Sequence, residues 1–184
     1  MRVISGSAKR LQLKTVPGNE TRPTTDRIKE TLFNMISMEL TRCRFLDLFA
    51  GSGAIGIEAL SRGAKQVIFI ENNRLAIQCI KDNLKHTHLE DGAMVIQSDV
   101  QSALSKMKEE PFDFIFMDPP YHTGVEESIL RLLKESTLLH ENTIIIIEAA
   151  IEETFSYLSE LGFTLIKNKE YKTNKHLFIK QTEE

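Results

Sequence analysis

Cysteine is scarce. Cys43 and Cys79 are the only two in 184 residues, too few for a disulfide-stapled secreted scaffold or a cysteine-only zinc site. Long apolar runs are missing as well. No stretch approaches the roughly 20 apolar residues of a membrane span. The N-terminal MRVISGSAKR has no apolar segment ahead of a small-residue cleavage site, so no signal peptide is expected. These absences lead us to expect a cytoplasmic protein with no membrane partner. Low-complexity tracts and internal repeats are also lacking. None of the five histidines (His86, His88, His122, His140, His176) has ligand spacing, so no metal is expected. Net positive charge is absent too: 23 Lys/Arg stand against 26 Asp/Glu. A protein basic all over is thereby excluded, but a local nucleic-acid surface is not.

The charge is unevenly placed. Residues 1–44 hold nine basic and four acidic side chains, whereas residues 45–184 hold fourteen basic and twenty-two acidic. A solvated basic hairpin and an arm that meets phosphates both fit that asymmetry. Hydrophobic residues make up 41% of the chain, enough for one core without a staple. We read residues 1–42 as a basic extension and residues 43–184 as the main domain. In the extension, Arg2–Ile4 and Leu11–Val16 predict two short strands around Ser5-Gly6-Ser7, a hairpin. Thr24 or Thr25 can cap a helix carrying Ile28, Leu32, Phe33, Ile36 and Leu40 on one face.

From residue 43 the pattern alternates. Apolar strands are predicted at Phe45–Phe49, Val67–Ile70, Ala93–Ile96, Phe112–Met117 and Thr143–Glu148. Helices are predicted at Ile55–Leu60, Leu75–Leu84, Val100–Met107, Glu126–Leu133 and Glu152–Leu161. Phe163–Ile166 and Leu177–Lys180 follow as two strands close enough to pair. Strand–helix alternation means an α/β fold with a mostly parallel sheet, and the last two strands imply an antiparallel C-terminal edge hairpin.

The first core strand runs into Asp47-Leu48-Phe49-Ala50-Gly51-Ser52-Gly53, then a helix. Glycine there lets backbone approach a ligand closely. No Lys-Ser/Thr pair follows, so a nucleotide P-loop is excluded. Gly51, Gly53 and Gly56 together have dinucleotide-site spacing, which formally allows an NAD enzyme. Glu71 closes the second strand, where an acid can take both hydroxyls of a ribose. Asp99 lies beyond the third strand, within reach of an adenine edge. All stand at carboxyl ends of strands, where open α/β sheets place ligands. Such an acid is also commonly a helix cap, and Asn72 and Asn73 can cap a helix or touch the ligand.

The fourth strand enters Asp118-Pro119-Pro120-Tyr121. Two prolines remove two backbone donors and stiffen the turn, which leaves the Asp118 carboxylate and the Pro119 carbonyl as acceptors. Two fixed acceptors can hold an exocyclic amine and aim its lone pair. Tyr121 offers a flat face for a base, a contact worth about 1–3 kcal/mol. His122, beside the motif, reads as a plain loop residue.

With Arg2-Val3-Ile4-Ser5-Gly6, Arg22-Pro23-Thr24-Thr25-Asp26-Arg27 and Glu58-Ala59-Leu60-Ser61-Arg62-Gly63, the chain resembles the class I S-adenosylmethionine-dependent methyltransferases that act on exocyclic base amines. Within them it resembles the RsmD family of bacterial 16S rRNA guanine-N2 methyltransferases. The resemblance covers nearly the whole chain and implies a Rossmann-like fold preceded by an N-terminal β-hairpin and helix. It implies S-adenosylmethionine as cofactor, with Asp47, Gly51 and Gly53 at its methionine part, Glu71 and Asn72 at its ribose, and Asp99 with the Val100 backbone at its adenine. Asp118, Pro119 and Tyr121 would hold the guanine, with Pro120 beside it. Arg22, Thr24, Thr25 and Arg27 would line the cleft, and Arg2, Lys9 and Arg10 would grip phosphates. The implied target is guanine 966, and the implied partner is 16S rRNA within the 30S subunit or an assembly intermediate, with ribosomal protein nearby. Two departures stand out: Arg10-Leu11 replaces the family's Gly-Arg, and Asn72-Asn73 stands where an acid often follows the ribose acid. Nothing requires a dimer, so a monomer is expected. Two rivals stay open, an adenine-N6 or other nucleic-acid amine methyltransferase and a non-catalytic RNA-binding assembly factor.

Overall fold

Residues 1–17 and 25–182 are described by a computed structural model of the chain. Five apolar segments form parallel strands: β1 (Arg44–Leu48), β2 (Gln66–Glu71), β3 (Ala93–Gln97), β4 (Phe114–Met117) and β5 (Ile144–Ala150). The helices α2 (Ala54–Ser61), α3 (Arg74–Thr87), α4 (Val100–Lys106) and α5 (Val125–Lys134) connect them. β6 (Phe163–Glu170) and β7 (Asn174–Gln181) pair antiparallel, and β7 runs antiparallel to β5. The sheet order is β3-β2-β1-β4-β5-β7-β6. This is the Rossmann-like, mostly parallel sheet with an antiparallel edge that the sequence led us to expect. Between β1 and β4 the strand order reverses direction, and a crevice opens there at the carboxyl ends.

Period-two alternation sorts the strand residues between two cores. Phe45, Phe69, Phe114, Phe116 and Phe178 pack on one face with α2 and with α1 (Asp26–Met35). Leu46, Leu48, Ile68, Ile115 and Ile145 pack on the other with α4 and α5. Both faces of the parallel strands are covered, which is why they read as nearly continuous apolar runs. No helix among the described residues is long and apolar enough to cross a membrane.

The N-terminal arm forms the expected hairpin, but a shorter one: Val3 N–H donates to the Leu11 carbonyl and Leu13 N–H to the Met1 carbonyl, each at 3.0 Å. Arg2 and Gln12 form a single antiparallel bridge, and Ser5–Arg10 coils into turns. Donors that the two legs do not use between them anchor the arm to α2. The N–H groups of Ile4 and Ser5 donate to Glu58 of α2 at 2.8 and 3.0 Å. Those of Ser7 and Ala8 donate to the carbonyl and hydroxyl of Ser61 at 2.8 and 3.0 Å. Glu58 also meets the fully buried Lys29 of α1 at 3.2 Å and Arg62 at 2.8 Å. Gly6 permits this contact: at φ +87° it lies so close that a Cβ would stand 1.7 Å from the Ser61 carbonyl oxygen. Val3, Ala8 and Leu13 thereby enter the same core as Phe45.

A second correction concerns Glu152–Leu161, which is a series of turns rather than a helix. Its first carbonyls are taken from outside, because Lys175 Nζ donates to those of Ile151 and Glu153 at 3.0 and 2.5 Å. The Glu153 carboxylate accepts from the backbone of Ala150 and His122 instead of facing solvent. The edge strands also run longer than predicted, β6 continuing from Ile166 to Glu170 through a bulge between Leu165 and Lys167. Lys167-Asn168-Lys169-Glu170 is polar throughout, which hides that stretch from a reading based on apolar residues.

Candidate active site

Three carboxylates gather on one face of the sheet at the switch point. Asp47 is the fourth β1 residue, paired in register with Phe116 of β4. Asp118 follows β4, two residues after Phe116 and so on the same face. Met117 pairs with Ile147 and places Glu148 of β5 beside Asp118. Glu148 pairs with His176 of β7. Its carboxylate accepts from Asn174 Nδ2 at 2.7 Å and lies 3.1 Å from His176 Nε2, and His176 Nδ1 lies 3.3 Å from the Tyr171 hydroxyl.

Burial pushes Asp118 well above the usual carboxylate range, and the negative charges of Glu148 and Asp47 add to it. Among the described residues no hydrogen bond occupies the Asp118 carboxylate or the Pro119 carbonyl, so both acceptors named from the sequence stand open at a stiff turn. Pro119 is buried, while Pro120 is exposed and its carbonyl accepts from the Thr123 hydroxyl at 2.7 Å. Tyr121 lies outside the core at 38% exposure, with its ring edge-on to that of His122.

Asp47 is only 1% exposed and is pushed up to about 7, first by burial and then by Glu71, against one hydrogen bond from Gly56 N–H at 2.9 Å. It sits beneath the glycine turn and ties α2 to β1. Glu71 ties the turn from the other side, accepting from Gly51 N–H at 2.8 Å and from Asn72 and Asn73 N–H at 2.9 Å each. The three glycines divide the work. A Cβ on Gly51 (φ +55°) would meet nothing within 4 Å, so its backbone is open to a ligand. At Gly53 it would touch Ile80 at 3.2 Å, and at Gly56 it would strike Phe69 at 2.2 Å, so these two serve helix–sheet packing.

A cavity of about 220 Å³ lies beside this turn, lined by Phe49, Glu71, Asn72, Asp99 and Val100, together with Ile70, Ser98, Gln101 and Val125. Asn73 is the cap of α3, its Oδ1 accepting from Leu75 and Ala76 N–H, which leaves Asn72 to face the cavity. Asp99 both lines the cavity and caps α4 through Ser102 N–H at 2.9 Å. Hydrogen bonding with the Ser102 side chain, and then with its backbone N–H, holds the carboxyl below the usual range. An apolar slot with acids at its rim and an open glycine backbone fits a nucleoside-bearing cofactor. Its volume suits one part of such a ligand rather than the whole.

On the basic side, Arg2, Lys9, Arg10 and Arg27 line one cleft of about 520 Å³ with Asp26 and Glu30. Arg2 pairs with Asp26 at 3.0 Å on the surface, a contact worth about 1 kcal/mol at most. Thr25 caps α1 through Ile28 N–H at 3.3 Å. Arg22 and Thr24 lie outside the described residues. Among the described residues no cluster of three or more metal-ligating side chains occurs.

Three features escaped the sequence reading. Glu148 ends the isoleucine run as Glu71 ends β2, so the strand-end rule would have found it. Phe49 adopts φ +61° as it turns from β1 into the cavity wall, a strained conformation for a bulky residue. No sequence signal announces that. His176 is fully buried, which spacing alone does not reveal.

The fold and the site define a class I S-adenosylmethionine-dependent methyltransferase. A family model described as "Conserved hypothetical protein 95" matches residues 1–180. The chain is 47% identical over 150 residues to the Bacillus subtilis (strain 168) protein named "Putative rRNA methyltransferase YlbH", covering 80% of this chain and 82% of that one. It is 37% identical over 152 residues to "Ribosomal RNA small subunit methyltransferase D" of Escherichia coli (strain K12), covering 83% and 76%. The solved structure "Putative methyltransferase yhhF from Escherichia coli" superposes with a TM-score of 0.85 at 34% identity, covering 100% of this chain and 99% of that one. The chain belongs to the RsmD family of methyltransferases, and S-adenosylmethionine is its cofactor.

Proposed function

We propose that this chain methylates the exocyclic N2 amine of a guanine in 16S rRNA, acting in the cytoplasm on the small ribosomal subunit or an assembly intermediate. The observation that carries the reading is the Asp118 carboxylate. It is partly buried, open to a hydrogen-bond donor and set on a two-proline turn beside the glycine loop. The relatives named for the small-subunit RNA support the substrate class.

S-adenosylmethionine, held by Gly51, Glu71, Asn72 and Asp99, would supply an electrophilic methyl group whose carbon–sulfur bond breaks as the bond to nitrogen forms, leaving the neutral thioether. Asp118 and the Pro119 carbonyl accept the two N–H bonds of the amine. They favour a more tetrahedral nitrogen with its lone pair freed, and they gain strength as positive charge develops there. The prolines hold both acceptors in place before the substrate arrives. Tyr121 stacks on the base, which must leave its helix to enter. The N–H becomes acidic only after attack, so no strong base is needed beforehand, and its proton then passes to Asp118 or to water. Arg2, Lys9, Arg10 and Arg27 meet phosphates and set the register without reading sequence.

The test is transfer of labelled methyl to small subunits, stripped 16S rRNA and duplex DNA, with product nucleosides resolved. N2-methylguanosine that disappears in Asp118→Ala is the expected result. Methyladenine would move the enzyme to adenine-N6 chemistry. Cofactor binding without transfer to any acceptor would leave an RNA-binding assembly factor.

A further inference from the structure

We propose that the β6–β7 hairpin forms a second RNA-binding wall, in which Lys169 and Lys172 face Arg27 across a groove and hold backbone phosphates flanking the target base. The proposal rests on the RNA methyltransferase reading above and extends its binding surface to an element assigned no role there.

Charge is the first argument. Residues 45–162 carry nine basic and nineteen acidic side chains, whereas residues 163–182 carry five basic and one acidic. The hairpin is therefore a basic island on an acidic body. Its turn lines a groove of about 410 Å³ with the first turns of α1. Thr25, Arg27 and Thr31 stand on one side, and Lys169, Tyr171 and Lys172 on the other. Glu170 also lines it, leaving the cations three to one.

Register is the second argument. Lys169 pairs with His176, and His176 pairs with Glu148. Glu148 stands beside Asp118 because Met117 pairs with Ile147. Cross-strand partners share a sheet face, so Lys169, His176, Glu148 and Asp118 form one row. Three strand spacings put Lys169 about 14 Å from Asp118, a span of a few nucleotides of RNA backbone. The turn is held in place, since Tyr171 N–H donates to the Asn174 carbonyl at 2.8 Å and its hydroxyl meets His176.

Lysines on an edge strand also deter unwanted strand pairing, which is a sufficient reason for Lys167. It does not account for Lys172, which is exposed and lies in the turn beyond the ladder. Among the described residues no ion pair engages Lys169 or Lys172; Lys169 Nζ sits 5.9 Å from the Tyr171 ring centroid.

The experiment compares K169Q/K172Q with wild type and with K106Q/K108Q, which removes the same charge from exposed positions on and after α4. RNA affinity is measured on stripped 16S rRNA over a salt series, methyl transfer on rRNA and on subunits, and cofactor affinity and Tm confirm folding. K169Q/K172Q should bind rRNA about tenfold more weakly, with a raised KM and a salt slope shallower by about 1.4–1.8. K172Q alone should give about half that slope change, and K106Q/K108Q should match wild type. If K169Q/K172Q matches K106Q/K108Q in affinity and slope while wild type methylates RNA, the groove is not an RNA site and the enzymatic reading stands. If the loss appears on subunits but not on stripped rRNA, the hairpin meets ribosomal protein and the proposal falls. If wild type neither binds nor methylates RNA, both readings fall.

Discussion

Asp47 and Asp118 are pushed above the ordinary carboxylate range chiefly by burial, yet they do different work. Asp47 is bonded to Gly56 and holds the glycine turn, while Asp118 has its acceptors open to the crevice. For Asp47 the sign follows from linkage. With its folded value raised to about 7, the folded state binds more protons than the unfolded one between about pH 4 and 7, so its contribution to stability falls as pH rises through that window. Asp47→Asn keeps an oxygen for Gly56 N–H and removes the ionisation. Relative to wild type the variant should gain stability from pH 4 to 7, on the order of 2–4 kcal/mol in total. Thermal melts across that range check it. For Asp118, Asp118→Ala should lower methyl transfer by about 10²- to 10⁴-fold with cofactor affinity kept. Asp118→Asn, which retains one acceptor oxygen, should fall between; single-turnover transfer and calorimetric cofactor binding separate the two effects.

The arm and its helices depend on one buried carboxylate. Glu58 accepts from the backbone of Ile4 and Ser5 and pairs with Lys29 and Arg62. Burial pulls the Lys29 ammonium below its usual range, while Glu58 opposes that shift. Glu58→Ala strands the Lys29 cation and two backbone donors, and should cost about 3–5 kcal/mol. Lys29→Met leaves Glu58 with Arg62 and both N–H groups, and should cost clearly less. Urea melts of the two variants check the order. At α3 a single cap is at stake. Asn73→Ala releases the N–H groups of Leu75 and Ala76 and should cost about 1 kcal/mol, with cofactor affinity preserved because Asn72, not Asn73, lines the cavity.

Across the whole molecule, charges from strands distant in sequence converge on the crevice proposed as the reaction centre. Asp47, Asp118 and Glu148 come from β1, β4 and β5, and Glu148 favours the protonated form of Asp118. Glu148→Gln keeps oxygen and nitrogen for Asn174 and His176 but removes the charge. Asp118 should then ionise at lower pH, and the acid limb of the methyl-transfer profile should move down with it. Pre-steady-state rates from acid to neutral pH would show the shift. Apolar alternation with Gly51-Ser52-Gly53 and Asp118-Pro119-Pro120-Tyr121 sufficed to read the strands, the parallel sheet and the acids at their ends. Those features are local, since hydrophobic period, proline and glycine act within a few residues of themselves. Only the tertiary structure decided the rest. Glu58 docked the arm's turn onto α2, Lys175 drew carbonyls away from a helix at residues 152–161, and Phe49 was bent into the cavity wall. The row from Asp118 through Glu148 and His176 to Lys169 likewise depends on strand order and register. Those are set by which faces bury together, a property no single segment carries.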